Sequence, residues 1–239
     1  MLGSLSVSER SYFLVADVMG FGHIVENSKG DALDRRIDEW VTLVEATAKN
    51  FKIKNIQLIS DTLFASVTQE PDSLVQLIDF IRELLTASLS ISLPLRGAIV
   101  SGECTWGRLT YGPAVIAAHQ LEQAQNWIGV ACAPAMPGVD ALWSLERLIC
   151  YPVPFKRKEI RLHPVVAWPV PAANELIKLL ARGGLTKNGD ILTWEVGEKI
   201  SNTVLFGMYM KFLSRTKSSP SVFHGFLPIH PIATVMEHL

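Results

Sequence analysis

The stretch Phe13-Leu-Val-Ala-Asp17-Val-Met-Gly20-Phe21 places an aspartate near the end of an apolar, strand-like run, just before a turn that contains glycine. A second stretch, Gln57-Leu-Ile-Ser-Asp61-Thr-Leu-Phe64, places another aspartate at the tip of a predicted hairpin. Hard divalent cations take oxygen ligands and are typically held by one or two protein carboxylates, while substrate phosphates complete the shell. Together the two aspartates predict a site for a divalent metal that carries a polyphosphate.

Around these stretches, the spacing of apolar residues predicts alternating strands and helices. In chain order these are strand 11–19, helix 31–52, strands 54–59 and 62–68, helix 74–88, strand 95–101, helix 113–126, and strands 128–133, 148–153 and 160–168. This order predicts an α+β fold with a mixed, mainly antiparallel sheet and helices packed on it.

The chain divides into a domain over residues 11–170 and a C-terminal helical extension over residues 171–239. Helices are predicted at residues 174–181 and 193–213, with a break at Gly183-Gly184 between them. The second of these helices carries an apolar, aromatic stripe, which is typical of a packing surface. We expect the extension to pack on its own domain or on a partner subunit.

The composition indicates a large core or a buried interface between subunits. The chain has 239 residues, of which 49% are hydrophobic, and its mean hydropathy is +0.25. We therefore expect a homodimer. A formal net charge of −1 excludes nucleic-acid binding through the field of the whole protein.

Cysteine usage and hydropathy indicate the compartment. The three cysteines, Cys104, Cys132 and Cys150, are odd in number and show no Cys-x-x-Cys spacing, which argues against a disulfide framework and a zinc site. The N-terminal residues lack the pattern of a signal peptide, and no run approaches 18 uninterrupted apolar residues. We expect a cytoplasmic protein with no membrane segment.

The order β-α-β-β-α-β, with Asp17-x-x-Gly20-Phe21 on its first strand and Ser60-Asp61 at its first hairpin, resembles the catalytic domain of class III nucleotidyl cyclases. That family has a ferredoxin-like core, and its two aspartates hold metal ions. The resemblance implies that residues 11–170 form a cyclase-like domain. It also implies two Mg²⁺ or Mn²⁺ ions bound by Asp17 and Asp61, with the Val18 carbonyl as a further ligand.

Two later motifs extend the resemblance. Leu93-Pro-Leu-Arg96-Gly-Ala-Ile-Val-Ser-Gly102-Glu is similar to the family's strand with a triphosphate-binding arginine, which implies that role for Arg96. Gly112-Pro-Ala-Val-Ile-Ala-Ala-His-Gln-Leu-Glu122 is similar to the helix that carries an asparagine and an arginine of the partner's active site. Those two positions are occupied here by Ile116 and Gln120, so the usual transition-state arginine is missing.

The remaining phosphate contacts are expected around the turn after the first strand. Backbone N–H groups of Gly20, Phe21 and Gly22 can cradle phosphate oxygens there, because glycine permits close approach. Phe21 can alternatively fill the core. In place of the missing arginine, the cations considered for the leaving group, left unranked, are His119, Lys156, Arg157 and Lys158.

The base-reading positions differ from those of purine cyclases. The position where those enzymes carry Lys or Glu falls on Gln57, and the opposite contact falls near Leu109 or Thr110. Gln57 offers both a donor and an acceptor, enough to read a uracil or cytosine edge. An altered base site with intact aspartates, together with the segments at residues 150–156 and 165–169, resembles the pyrimidine cyclases of the Pycsar anti-phage systems.

The predicted function is therefore conversion of UTP or CTP to the 3′,5′-cyclic monophosphate, a messenger for a cyclic-nucleotide-responsive effector. Two alternatives stay open. One is a purine cyclase that acts on ATP or GTP, and the other is an inactive cyclase-like domain that binds nucleotide or dimerises.

Overall fold

A computed structural model of the chain describes residues 8–27, 30–144, 146–169, 174–178 and 194–217. Within these ranges the strands are β1 (Ser8–Val18), β2 (Asn55–Ile59), β3 (Thr62–Thr68), β4 (Leu95–Thr105), β5 (Val130–Cys132), β6 (Leu148–Pro154) and β7 (Ile160–Val166). The helices are α1 (Phe21–Asn27), α2 (Asp31–Asn50), α3 (Ser73–Ser90), α4 (Pro113–Ala124), α5 (Val139–Ser144), α6 (residues 174–178) and α7 (Trp194–Lys217).

The strands form one seven-stranded sheet in the order β2-β3-β1-β4-β5-β7-β6. Strands β4 and β5 run parallel, and the other neighbouring pairs are antiparallel. This architecture confirms the predicted α+β fold with a mixed, mainly antiparallel sheet. The predicted glycine break and the residues after 217 lie outside the described part of the chain.

Side chains of β1 alternate between two cores, as the period of a strand requires. Tyr12, Leu14 and Ala16 lie in the larger core, which also contains buried residues of α2 and α3. Phe13 and Val15 point to the opposite face and pack in a smaller core with α4. Asp17 has the same parity as Phe13 and Val15, so its side chain lies on the α4 face of the sheet.

Helix α7 packs against the sheet domain of its own chain. The Phe206 ring lies 4.6 Å from the Trp127 ring and 5.1 Å from the Trp168 ring, measured between centroids. Thr203 Oγ1 accepts a hydrogen bond from the backbone N–H of Ile128 at 2.9 Å. Not all of the apolar stripe is buried, since Leu205 is 59% exposed.

Several details differ from the sequence-based prediction, among them two short helices and the extents of β1, β4 and β5. Helices α1 and α5 are not predicted, because seven and six residues are too few to show a clear apolar period. Strand β5 has three residues rather than six. The residue before β5, Gly129, has φ 156°. A Cβ at Gly129 would come within 2.6 Å of the Trp127 ring, so glycine is needed there and the regular strand begins only at Val130.

Among the described residues, no helix combines the length and the apolar character needed to cross a bilayer.

Candidate active site

The two predicted metal-binding aspartates lie at neighbouring strand ends. Asp17 on β1 is paired with Thr62, the first residue of β3, and Asp61 directly precedes Thr62. The backbone N–H of Val18 donates to the Asp61 carbonyl at 3.2 Å. Two segments more than 40 residues apart in the sequence are thereby fixed side by side.

Asp61 occupies a two-residue hairpin loop. Ile59 pairs with Thr62, which leaves Ser60 and Asp61 as the loop between β2 and β3. Ser60 has φ 59°, a left-handed conformation that glycine adopts without steric cost and that tight hairpins require. Ser60 therefore adopts this left-handed conformation at the position where the resemblance noted in the sequence implies a glycine.

Asp17 lies in an environment that disfavours its charge. Burial raises the pKa of its carboxyl group, and the nearby charge of Asp61 raises that pKa further. Thr62 acts in the opposite direction, because its hydroxyl donates to Asp17 Oδ1 at 2.9 Å and so lowers the pKa. Sequence analysis did not single out Thr62, whose role follows from its position opposite Asp17 in the sheet.

The donor set at this edge fits a hard divalent cation. Two carboxylates and the nearby Val18 carbonyl are oxygen ligands, the type that Mg²⁺ and Mn²⁺ prefer. Within the described ranges, no group of three or more His, Cys, Asp or Glu residues is placed to hold a metal ion. A site here would therefore need oxygens from phosphate or water to complete its coordination.

The turn after β1 leads directly into helix α1. Gly20 has φ 83°, and its carbonyl accepts the backbone N–H of Ile24 at 3.2 Å. Gly22 stands in the first turn, where helical N–H groups have no intrahelical partner, and a Cβ added to Gly22 would meet no atom within 4 Å. The Phe21 side chain packs against the larger core, while its backbone remains at the turn where phosphate contacts are predicted.

Arg96 lies beside Asp17 but is engaged by an acidic partner. Its Nε and Nη2 atoms lie 2.6 Å and 2.5 Å from Glu122 Oε1 on α4. Arg96 is 6% exposed and Glu122 is 2% exposed, so the ion pair is buried rather than superficial. Sequence analysis missed Glu122 as a site residue, although it ends the quoted motif that begins at Gly112.

Two of the positions predicted to read the base contact each other. The Thr110 hydroxyl donates to Gln57 Oε1 at 3.2 Å, which joins β2 to the segment between β4 and α4. Gln57 is paired with Phe64 on β3, so it shares the α4 face of the sheet with Asp17. Leu109, the other position considered, is highly exposed. The hydrogen bond fixes the Gln57 amide so that its NH₂ group remains available as a donor.

The outer surface of α4 carries the two positions at which the resemblance noted in the sequence implies an asparagine and an arginine. Ile116 and Gln120 are both exposed. His119 is nearly half exposed, with Nδ1 3.9 Å from Glu122 Oε2, and its ring approaches the Phe64 ring edge-on at 6.4 Å. His119 is therefore a candidate cation on the α4 face of the sheet, the face that also carries Asp17.

The basic segment Lys156-Arg157-Lys158 forms an exposed turn between β6 and β7. The Lys156 backbone N–H donates to the carbonyl of Ala124, the last residue of α4, at 2.8 Å. Gln125, which follows, donates through Nε2 to the Gly97 carbonyl at 2.8 Å. The turn is thus held near the start of β4, at the same end of α4 as the Arg96–Glu122 pair.

Neither a protein family model nor a curated protein matches this sequence. Solved structures do match in fold. The adenylyl cyclase CyaB from P. aeruginosa aligns with a TM-score of 0.52 and 14% identity, over 67% of this chain and 95% of that chain. A bacterial light-regulated adenylyl cyclase aligns with a TM-score of 0.54 and 15% identity, over 75% of this chain and 97% of that chain.

A third similar structure is the guanylate cyclase domain of RhGC from Catenaria anguillulae in complex with GTP. It aligns with a TM-score of 0.52 and 15% identity, over 66% of this chain and 96% of that chain. The fold is therefore that of the class III adenylyl and guanylyl cyclase domains. Identities this low establish the fold alone, so the activity has to be argued from the site.

Proposed function

We propose that this protein is a metal-dependent nucleotide cyclase that converts UTP or CTP to the 3′,5′-cyclic monophosphate and pyrophosphate. The observation that carries the proposal is the meeting of Asp17 and Asp61 at one end of a cyclase-fold sheet, linked by the 3.2 Å hydrogen bond from Val18 to Asp61. An inactive domain would have no chemical need for this pair.

In the reaction, the ribose 3′-oxygen forms a bond to the α-phosphorus, the bond to pyrophosphate breaks, and the hydroxyl proton passes to water. Two divalent ions, when bound, would lower the pKa of the 3′-hydroxyl and neutralise charge on the phosphates. Asp17, Asp61 and the Val18 carbonyl would hold these ions. The N–H groups of Gly20, Phe21 and Gly22 would orient the phosphates.

Apart from Arg96, which is engaged by Glu122, two sources of positive charge are considered for the departing pyrophosphate. His119 stands on α4, and the exposed turn of Lys156, Arg157 and Lys158 is anchored at the end of that helix. Three flexible or planar cations on one turn match a polyphosphate better than the solitary His119 does. We assign the triphosphate tail to this turn.

Recognition of a pyrimidine base is assigned to Gln57. The hydroxyl of Thr110 fixes the Gln57 amide, and its NH₂ group would donate to a carbonyl oxygen of the base. Neither residue carries the fixed charge found at these positions in purine cyclases. In the proposed role the product is a second messenger that switches on a separate anti-phage effector.

A homodimer is also proposed. Leu109, Tyr111 and Ile116 are exposed large apolar side chains along the segment before α4 and on α4 itself. Covering such a surface with a second subunit removes apolar area from water. It would also bring α4 of one subunit toward the metal site of the other.

The test is incubation of the purified protein with UTP, CTP, ATP and GTP separately in Mn²⁺ or Mg²⁺, with products identified by mass spectrometry. We expect cyclic UMP or cyclic CMP as the main product. Asp17→Asn and Asp61→Asn should each reduce turnover at least about 100-fold, because several kcal/mol of charge stabilisation are lost. Asp38→Asn, an exposed change on α2, is the matched control.

Faster turnover of ATP or GTP would replace the pyrimidine assignment with a purine cyclase. Absence of any cyclic product from four nucleotides in both metals would contradict the catalytic proposal and favour a binding or dimerisation domain.

A further inference from the structure

The Arg96–Glu122 pair is the most deeply buried ion pair of the site. Both of its contacting nitrogens, Nε and Nη2, point to the same carboxylate oxygen of Glu122. The third nitrogen, Nη1, is inaccessible to solvent and has no hydrogen-bond partner among the described residues. A buried donor without a partner typically costs about 1–3 kcal/mol, so such an arrangement calls for a functional reason.

The position of the pair relates it directly to Asp17. Arg96 lies directly opposite Asp17 in the register of β4 against β1. Side chains that face each other across antiparallel strands lie on the same face, with Cβ atoms about 4.5–5.5 Å apart. The Arg96 charge lowers the pKa of Asp17 while the Glu122 charge raises it, so the two members of the pair act on Asp17 in opposite directions.

This geometry does not suit an arginine that binds a triphosphate. A bidentate grip needs two N–H groups on one accessible edge of the guanidinium. In Arg96 the edge formed by Nε and Nη2 is occupied by Glu122, and Nη1 is closed off from solvent. A phosphate could reach Arg96 only if the buried pair separated and left the Glu122 carboxylate without its partner.

We propose that Glu122 is a positioning residue that engages Arg96 and so keeps it from pairing with Asp17, which leaves the Asp17 carboxylate free for the metal ion and Arg96 unavailable to the triphosphate. The inference rests on the proposed metal site and goes beyond it by assigning a role to Glu122 and a different role to Arg96. Without Glu122, Arg96 is released to pair with Asp17 and competes with the metal ion.

The pair can be tested by a double-mutant cycle of Arg96→Met, Glu122→Met and the double variant. Breaking a buried pair leaves an uncompensated charge, whereas replacing both members with apolar residues of similar volume is often close to neutral. The readouts are the thermal unfolding midpoint, the affinity for Mn²⁺ alone, and the affinity for inorganic tripolyphosphate in saturating Mn²⁺. These readouts do not depend on turnover or on the identity of the base.

We expect Glu122→Met to weaken Mn²⁺ binding about 10–100-fold, the usual effect of losing a residue that orients a metal ligand. Arg96→Met should lower the unfolding midpoint, because Glu122 is left buried and unpaired. In the double variant, the affinities for Mn²⁺ and for tripolyphosphate should both return to within about threefold of the parent protein, as expected for a coupled pair.

The ion pair of Arg147 with Asp79 provides a matched control. Arg147 bonds both carboxylate oxygens of Asp79, at 2.6 and 2.8 Å, and joins the start of β6 to α3. Since α3 packs in the larger core, this pair lies away from the Asp17 face. Asp79→Asn should lower stability and leave the affinity for Mn²⁺ unchanged.

Two results would overturn the inference. If Glu122→Met lowers stability as Asp79→Asn does and leaves Mn²⁺ binding intact, the pair is only structural. If the double variant recovers Mn²⁺ affinity but binds tripolyphosphate at least tenfold more weakly, Arg96 is a phosphate ligand after all. A lack of cyclase activity in the parent protein would contradict the proposed function without deciding either result.

Discussion

The proposed function requires the Asp17 carboxyl group to be charged, but its surroundings in the folded protein disfavour that charge. Burial and the neighbouring Asp61 both raise its pKa. A raised pKa means that the folded protein holds a proton at this carboxyl group more tightly than the unfolded chain does. Stability is therefore lost as the pH rises through the interval between the unfolded and the folded pKa.

Asp17→Asn should therefore stabilise the protein at pH 7 in metal-free buffer. The amide keeps an oxygen that can accept the Thr62 hydroxyl, and it removes a charge that burial disfavours. We expect a gain of roughly 0.5–2 kcal/mol in the free energy of unfolding, the range of single stabilising changes. Urea denaturation at pH 7 measures this gain, which should shrink as the pH falls toward the unfolded pKa.

Mn²⁺ should reverse the order of stability. An ion at 100 times its dissociation constant adds about 2.7 kcal/mol to the stability of a protein that binds it, and only the parent protein should receive this gain. If Asp17→Asn proves less stable than the parent without metal at pH 7, burial does not oppose the charge.

Single residues of the site were predictable where their motif is local. Strand and turn patterns in their short segments predict the positions of Asp17 and Asp61, whereas Gln57 was singled out only through the resemblance. Glu122 was not predictable as a site residue, because its role depends on a contact with Arg96 across 26 residues of sequence. A glutamate on a helix is ordinarily read as part of a solvated surface.

At the scale of elements, the site depends on the close approach of β1 and β4. A Cβ added to Gly97 would lie 2.6 Å from the Val15 carbonyl oxygen, a distance at which backbone must move. Gly97 directly follows Arg96, and its own carbonyl accepts from Gln125. The absence of a side chain at this position allows the two strands that carry Asp17 and Arg96 to meet.

Gly97→Ala should separate these strands locally. We expect a loss of about 1–3 kcal/mol in stability, as for other overpacked sites, together with weaker Mn²⁺ binding. Chemical denaturation and titration with Mn²⁺ measure the two effects. A stability unchanged from that of the parent protein would show that the strands adjust without cost.

Gly197→Ala is the comparison for this change. Gly197 lies within α7, where an added Cβ would meet no atom within 4 Å. Alanine in the interior of a helix is about 1 kcal/mol more favourable than glycine. This variant should gain stability and leave Mn²⁺ affinity unaltered.

The spacing of apolar residues predicted most of the strands and the long helices. The predicted order of the core elements was correct. The short helices α1 and α5 were missed, since local pattern is weak over two turns. The sheet order was available only through the resemblance. Parallel pairing of β4 with β5 joins segments about 30 residues apart, and no local feature of the sequence specifies it.

At the scale of the whole molecule, the sheet separates the site from the main core. The site residues lie with α4 on one face, while α2, α3 and most buried side chains lie on the other. Helix α7 completes the larger core through Phe206, which is fully buried. Substitutions in the larger core should therefore lower stability with little effect on the proposed chemistry.

Phe206→Ala tests this separation. Loss of the ring leaves a cavity beside Trp127 and Trp168, and such changes typically cost about 3–5 kcal/mol. We expect a large fall in the unfolding midpoint, measured by calorimetry, with little change in the Mn²⁺ affinity of the folded protein. Leu205→Ala, at the exposed neighbouring position, should change stability by about 0.5 kcal/mol or less.

The hydrogen bond from Ile128 to Thr203 spans 75 residues of the chain, and this span has a consequence during protein synthesis. At about 5–20 residues per second, a ribosome needs several seconds to produce the segment that separates these two partners. During that interval the Trp127 ring has no Phe206 to cover it. The nascent chain therefore exposes aromatic surface until α7 is synthesised. During this interval we expect it to need a chaperone most.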